Sequence, residues 1–232
     1  MLDDLKKNMS GEIVLGLTHE HGIDICTSIF PQFNRRYPGI SFTLIERIVA
    51  EQNQLLLDGN LDFGIVMLQE SEKINLRYIN LYREQLILGI PQNHPMASFA
   101  APPDAPLACL DLGLFKNDKF SLIFSASTMR RVLDPCFDEA GFRPSIVIET
   151  AMNHALVQMV ASGFCCTIMP ESRARISPYY SRCAWFTLTS HPHWDVSIAC
   201  RKDTQLSEAH KYFIRLAQKY GQKMESQFLQ NR

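Results

Sequence analysis

Polar residues follow an apolar run near the start of the chain. Residues 12–17 (EIVLGL) have the length of a buried strand, and Thr18, His19 and Glu20 separate them from a helical segment that starts at residue 23. Backbone amides at a helix N-terminus favour an anion, so these amides and Thr18, with His19 beside them, suit a carboxylate. Glu20 favours an ammonium or guanidinium group instead. A ligand with both charges, such as an amino acid, satisfies both groups; alternatively, Glu20 caps the helix or faces solvent.

A hydroxyl-rich loop in the second half of the chain offers another set of polar groups. Ser125, Ser127 and Thr128 follow the strand-like residues 122–124 and lead into a helical segment that begins near Met129. Serine and threonine at such a position typically cap the helix by accepting its first backbone amides. One hydroxyl can cap the helix while another contacts a ligand, so both functions stay open for this loop. Met129, beside the loop, is a further candidate ligand contact.

Asn153 stands at the start of a third helical segment, residues 152–162, which follows the strand-like run 145–149. Its side-chain amide can donate and accept hydrogen bonds with a ligand; alternatively, it is an ordinary helix-start residue. Recognition of a small molecule needs only such polar groups and a conformational response to occupancy, with no covalent step.

Other patterns that carry chemistry are weaker. The His-x-His pairs at 19–21 and 191–193 fall in predicted loops without cysteine at ligand spacing, so we expect no metal site. The seven cysteines are scattered without a Cys-x-x-Cys pair, which is typical of reduced thiols. Cys165 and Cys166 lie in an apolar run, where burial should raise the thiol pKa. Without a nucleophile elbow or a phosphate-binding loop, we expect neither an enzyme nor a cofactor.

The elements that must position these groups alternate along the chain. Strands are predicted at residues 12–17, 40–45, 61–68, 122–124, 145–149 and 164–169. Helices are predicted at residues 23–37, 52–57, 129–140 and 152–162. Two β-α-β-α-β units of this kind predict an α/β fold with parallel sheets covered by helices on both faces. Ligands in such sheets bind beyond the carboxyl ends of the strands.

The remaining segments connect and close the two units. Residues 77–91 predict two strands with a turn near Arg83 and Glu84, and the proline-rich residues 93–106 predict a loop. Strands at 185–188 and 194–200 and a helix at 207–228 complete the chain. A strand that returns after the second unit predicts two lobes joined by crossover strands, with a ligand cleft between the lobes.

Charge and hydropathy exclude several classes of protein. The 232 residues carry a net charge of −1 and show no basic stripe, so this chain is not expected to bind duplex DNA by itself. The short pairs at 6–7, 35–36 and 130–131 are interpreted as solvated helix faces. No apolar segment approaches the roughly 20 residues of a membrane span, and the charged first residues do not resemble a signal peptide. We therefore expect a cytoplasmic protein.

Three groups of motifs occur in order along the chain. The first comprises GEIVLGL from residue 11, FPQFNRRYPGI from residue 30 and LLLDGNLDFGIV from residue 55. The second is LYREQLILGIPQNHPMA from residue 81, and the third is AGFRPSIVIETAMNHALVQMVASGFCCTIMPES from residue 140. Together they resemble the effector-binding domain of LysR-type transcription regulators.

The resemblance implies a two-lobed fold like that of type 2 periplasmic binding proteins. Residues 11–90 with 193–232 would form one lobe and residues 91–192 the other, while residues 1–10 would be the remnant of a linker helix. The family's winged helix-turn-helix domain has no counterpart here, so DNA binding is expected only through a longer parent protein. The family also implies a homodimer, and a tetramer for the full-length parent, with helices 23–37 and 152–162 as candidate dimer faces. Alternatively, the apolar sides of both helices face the core.

The resemblance also bears on the site. The Ser125–Met129 loop falls where the family places ligand contacts of its second lobe, and Val49 aligns with a contact position that often carries a hydroxyl. Because Val49 cannot offer a side-chain hydrogen bond, it weakens the case for a simple carboxylate ligand. Redox sensing, a variant of the family, uses a cysteine pair where this loop has none. A solute-binding protein of a transport system shares the fold and is the alternative function.

Overall fold

The computed structural model describes residues 10–18, 20–102 and 105–230, with side chains described up to residue 228. Its strands are β1 (Gly11–Leu17), β2 (Ile40–Glu46), β3 (Phe63–Leu68), β4 (Arg77–Pro91), β5 (Cys109–Leu110), β6 (Lys119–Ile123), β7 (Ser145–Thr150), β8 (Thr167–Pro170), β9 (Cys183–Leu188) and β10 (His193–Cys200). Its α-helices are α1 (His21–Arg36), α2 (Val49–Leu57), α3 (Thr128–Glu139), α4 (Asn153–Ala161), α5 (Glu171–Arg175) and α6 (Glu208–Gln230). The predicted linker-helix remnant lies almost wholly outside the described residues.

The chain divides into two compact units. Unit 1 draws on Met1–Tyr82 and Asp195–Gln227, and unit 2 on Arg83–Trp194 and Phe228–Arg232. Strands β4 and β10 each contain a boundary between the units, so the chain passes twice from one unit to the other.

Unit 1 is a sheet with helices on both faces. Strands β2, β1 and β3 are parallel, and β10 joins β3 in the antiparallel direction. On one face, Leu56 of α2 is buried with Val66 of β3. On the other, Phe63 of β3 stacks on Phe213 of α6 with ring centroids 5.3 Å apart. These contacts confirm the predicted parallel sheet with helices on both faces.

Unit 2 is built around two pairing patterns. Strands β6 and β7 are parallel, and β4 pairs in the antiparallel direction with β8 and β9. Cys166, just before β8, bridges Phe120 of β6 in parallel. Phe120 is fully buried and lies edge-to-face against Phe137 of α3, with ring centroids 5.2 Å apart. The helix α3 therefore packs against the sheet through aromatic side chains.

The structure corrects the prediction for residues 77–91. They form one strand, β4, with no turn at Arg83 and Glu84. The charged pair suggested a solvent-exposed turn, but Glu84 has no exposed surface and its carboxylate is hydrogen-bonded inside unit 2. Strand β8 also starts later than predicted, at Thr167, so Cys165 and Cys166 precede it.

The apolar sides of both candidate dimer helices face the interior of their own units. Ile25, Ile29 and Phe33 of α1 are buried, as are Leu156 and Val160 of α4. The core-facing alternative is thus confirmed for these side chains, and a dimer contact would use the exposed sides of the helices. Among the described residues, no helix has both the length and the apolar composition needed to cross a membrane.

Candidate functional site

In unit 1, Thr18 lies at the carboxyl end of the parallel strands. It follows β1 directly, and its hydroxyl lies 3.6 Å from Met67 Sδ near the end of β3. The loop after β2 reaches the same edge, because Arg47 N donates to Leu17 O at 3.0 Å. Thr18 and the starts of helices α1 and α2 are therefore gathered at one end of the sheet, as the strand-helix alternation predicts.

Glu20 has an unusual backbone conformation just before α1. Its φ of 72° and ψ of −64° are close to those of a γ-turn that side-chain-bearing residues rarely adopt. Its carbonyl accepts Asp24 N at 3.2 Å, but its side chain makes no capping hydrogen bond to the helix. The capping alternative for Glu20 is therefore wrong. His19 lies outside the described residues.

Val49 opens helix α2, and its side chain is buried in the core with Leu56 and Val66. Only its backbone remains as a hydrogen-bonding group for a ligand. The loop before it is held from inside the unit, because the fully buried Gln52 donates from Nε2 to Arg47 O at 2.8 Å. Gln52 was not predicted from the sequence. The available signal was a polar residue on the side of this short apolar helix that faces the core.

In unit 2, two of the predicted polar segments come together. Phe124 N donates to Thr150 O at 3.1 Å, which joins the segment after β6 to the end of β7. Ser125 is exposed on this edge, and Asn153 is 6% exposed at the start of α4. The loop that begins at Ser125 and the loop that leads to Asn153 therefore lie at the same edge, the carboxyl ends of the parallel strands β6 and β7.

The hydroxyls of the Ser125–Met129 loop have different roles. Ser127 Oγ accepts Arg130 N at 3.2 Å and caps α3, as expected. Thr128 Oγ1 accepts the Arg131 guanidinium at 3.1 Å. Met129 is 4% exposed and packs in the interior. Ser125 is therefore the hydroxyl of this loop that stands on the surface.

Arg130 corrects the interpretation of residues 130–131 as a solvated pair. Its side chain is buried, donating from Nε to Asp134 at 2.8 Å and from Nη1 to Glu149 at 2.6 Å. Burial alone would lower its pKa, but the hydrogen bonds to the two carboxylates outweigh that and raise it. Arg130 stays charged and ties α3 to β7 beneath the loop. The spacing to Asp134 was the sequence signal.

Among the described residues, one group of three donors has the spacing to hold a metal ion. His94, Asp118 and Cys166 bring their donor atoms within 4.8 Å of one another. However, His94 Nδ1 accepts Met96 N at 3.1 Å, so a neutral ring carries its proton on Nε2, 3.2 Å from Asp118 Oδ1. A histidine ligand normally donates its second ring nitrogen and binds the metal with the other. The group fits a structural hydrogen bond better than a metal site.

The cysteines are free thiols, and all except Cys109 are buried. Burial raises the thiol pKa of Cys165 and of Cys166, for which nearby Asp118 adds to the effect. The predicted direction for both thiols is confirmed. Of the second His-x-His pair, His193 Nδ1 lies 2.9 Å from the His191 carbonyl rather than beside another ring.

Helix α6 carries a histidine that links the stability of unit 1 to pH. Burial lowers the pKa of His210 from its ordinary 6.5, and Asp62 only partly opposes this. As pH falls through 6.5, the unfolded chain takes up this proton before the folded chain does, so folding stability falls. His210→Gln is expected to flatten the loss of stability between about pH 6.5 and 5 in urea unfolding. The exposed His191→Gln should leave that slope as in the parent, and an unchanged slope in both variants would exclude His210 as its source.

Comparisons with known proteins agree with this geometry. A family model described as the LysR substrate binding domain matches residues 6–222. An uncharacterised HTH-type transcriptional regulator of Bacillus subtilis (strain 168), YybE, is 26% identical over 167 residues, which are 72% of this chain and 54% of that protein. The chain therefore spans about half the length of this curated relative.

Solved structures share the fold. The effector binding domain of QuiR, in complex with shikimate, aligns with a TM-score of 0.73 at 20% identity, over 93% of this chain and 99% of that one. The CcmR regulatory domain of Synechocystis PCC6803, in complex with 2-PG, aligns with a TM-score of 0.77 at 18% identity and the same coverage. The fold is the two-lobed α/β fold, like that of periplasmic binding proteins, that such effector-binding domains adopt.

Proposed function

This chain belongs to the LysR substrate-binding domain family, and we propose that its effector is a small anion or zwitterion. The candidate edges are the carboxyl end of β1 in unit 1 and the carboxyl ends of β6 and β7 in unit 2. The observation that carries the proposal is the gathering of helix starts and hydroxyls at these edges. Thr18 precedes α1, Ser125 precedes α3 and Asn153 opens α4. The first backbone amides of each helix point toward its start, where a negative group is favoured.

The charges near these edges indicate the class of effector. Arg131 lies in the first turn of α3 and folds back on the loop, donating to Thr128 Oγ1 and to Ala126 O at 3.4 Å. Its positive charge adds to the preference of this helix start for a carboxylate. Glu20, by contrast, favours a positive group near α1. An amino acid carries both a carboxylate and an ammonium group, whereas a plain carboxylate offers no positive group to Glu20.

The bound molecules of the two neighbours support a small polar effector. The QuiR domain holds shikimate and the CcmR domain holds 2-PG. We propose the same use of the fold here, with Thr18 and Glu20 as candidate contacts in unit 1 and Ser125 and Asn153 as candidate contacts in unit 2. His19 and the Val49 backbone belong to the same proposed set, whereas Ser127, Thr128 and Met129 position the loop.

We propose that this chain is the sensing part of a full-length regulator, which supplies the response. The full-length regulator would bind DNA through a helix-turn-helix domain, work in the cytoplasm and form homodimers that pair into tetramers. Units 1 and 2, which the chain joins at Tyr82–Arg83 and at Trp194–Asp195, would be the regulatory lobes, and the chain would have no enzymatic activity. The matched curated relative is a transcriptional regulator, so a transport function is not favoured.

A thermal-unfolding screen tests this function. The panel comprises amino acids, plain mono- and dicarboxylates and phosphorylated acids, each at millimolar concentration. A ligand that binds only the folded chain raises the unfolding midpoint in proportion to RT ln(1 + [L]/Kd). We expect a rise with zwitterions that exceeds the rise with plain acids.

Glu20→Gln tests the charge argument in the same screen. Without the carboxylate, the preference for zwitterions over plain acids should disappear, because only the group that meets the ammonium has changed. Glu70→Gln, at an exposed carboxylate of unit 1, is the matched control and should keep the preference. A preference that survives in Glu20→Gln would remove Glu20 from the site while leaving the anion contacts in place.

A further inference from the structure

Glu84 is a buried carboxylate in the middle of strand β4. It has no exposed surface, and both of its oxygens are hydrogen-bonded. Oε1 accepts Ser172 N at 3.1 Å, at the start of α5. Oε2 accepts Trp194 Nε1 at 3.0 Å, from the first part of β10. One side chain therefore connects both strands that pass between the units to a helix of unit 2.

A backbone contact reinforces this connection. Leu86 N donates to Pro192 O at 2.8 Å, two residues from Glu84 on one strand and two from Trp194 on the other. A buried carboxyl oxygen that loses its donor is costly, because no water replaces the lost hydrogen bond. The segments from Glu84 onward and up to Trp194 are thus firmly held within unit 2.

Within one or two residues of these contacts, both strands also pack against unit 1. A Cβ on Gly221 of α6 would lie 2.3 Å from Leu81 O, so the helix backbone rests directly on β4 there. Tyr82 is buried and its ring centroid is 6.3 Å from that of Tyr220. On the other strand, Asp195 already pairs with Leu68 of β3. On each strand, the contacts therefore change from unit 1 to unit 2 within one or two residues.

We propose that Glu84 clasps both passing strands to unit 2, so that any rearrangement between the units turns at Arg83 and at the Trp194–Asp195 peptide. Arg83 is the exposed residue between the buried Tyr82 and Glu84. A short joint between two firmly held segments confines the motion to few dihedral angles. This inference goes beyond effector sensing and does not depend on which effector binds.

Hydrogen exchange of the chain without ligand tests the clasp. Trp194→Phe removes the donor to Oε2 and keeps an aromatic ring in place. Glu84→Gln replaces one of the two accepting oxygens by an NH2 group. One of the two donors, Ser172 N or Trp194 Nε1, then faces another donor instead of an acceptor. We expect exchange to speed up about tenfold at residues 84–91 and 172–175 in each variant, while residues 11–17 and 63–68 keep the parent rates.

Two comparisons keep the test decisive. Glu171→Gln is the matched control, since this carboxylate is also buried in unit 2 but pairs with Arg175 of its own helix; it should leave residues 84–91 unchanged. The double variant of Glu84 and Trp194 should be accelerated less than the sum of the two single effects, because both substitutions remove the same hydrogen bond. Unchanged exchange at 84–91, or equal acceleration at 77–82 and 195–200, would overturn the proposal, and Trp194→Phe remains available if Glu84→Gln does not fold.

Discussion

Phe120→Ala is expected to lower the free energy of unfolding by about 3–5 kcal/mol, the range for removing a large aromatic side chain from a core. Phe120 has no exposed surface and contacts two further rings, with centroids 5.2 Å away in Phe137 and 6.4 Å away in Phe142. Strand β6 is fixed on both sides by β7 and by Cys166, so the site cannot collapse to fill the cavity.

Urea unfolding followed by far-UV circular dichroism measures this change. The midpoint should fall while the dependence on urea stays the same, since the surface exposed on unfolding hardly changes. Phe164→Ala removes the same side chain from a position that is 50% exposed and should cost no more than about 1 kcal/mol. Equal losses in the two variants would contradict the assignment of Phe120 to the core.

Gly89→Ala is expected to cost about 2–3 kcal/mol by overpacking. A Cβ at this position in β4 would lie 2.4 Å from the Trp185 ring. The ring has little freedom to retreat, because it stacks on Tyr180 at 5.3 Å and donates from Nε1 to Tyr180 O at 2.9 Å. The added methyl group therefore forces either the strand or the stacked pair out of position.

Gly11→Ala is the control for this substitution. Gly11 also lies in a strand, but a Cβ there would meet no atom within 4 Å. Its effect on the urea midpoint should stay within about 0.5 kcal/mol. If Gly89→Ala were as mild as Gly11→Ala, the contact between β4 and Trp185 would not be the reason for glycine at this position.

Much of the fold follows from local patterns in the sequence. Strands of continuous apolar residues, such as residues 63–68, and helices with one apolar side each have a period that can be recognised without tertiary information. The order strand, helix, strand then places Thr18 and Ser125 at carboxyl ends of strands. The capping role of Ser127 also follows locally, because a cap depends on its own helix.

The features that sequence reasoning missed depend on distant partners. Glu84 next to Arg83 resembles a turn until Trp194 and Ser172 supply the hydrogen bonds that make its burial tolerable. Arg130 resembles a solvated residue until Glu149, 19 positions away, joins Asp134 as its partner. Val49 aligned with a contact position, yet only the packing of α2 shows that its side chain faces the core.

The positioning of the two candidate edges explains why they suit recognition. In unit 1, Gln52 fixes the loop before α2 from within. In unit 2, Arg130 ties the start of α3 to Glu149 of β7, and Arg131 donates to Ala126 O and Thr128 Oγ1 of the loop. Loops that are already ordered lose little conformational entropy when a ligand binds, so few polar contacts give useful affinity.

The central claim is tested most directly by the ligand-induced rise in the unfolding midpoint. This rise is compared between the unsubstituted chain and two serine variants. With the strongest ligand of the panel held at a concentration near its Kd, Ser125→Ala should lose most of the rise, since a lost hydrogen bond to a charged group weakens binding about tenfold or more. Ser181→Ala, at an exposed serine elsewhere in unit 2, should keep it. A panel without any stabilising compound, or an equal rise in both variants, would contradict effector binding at this edge.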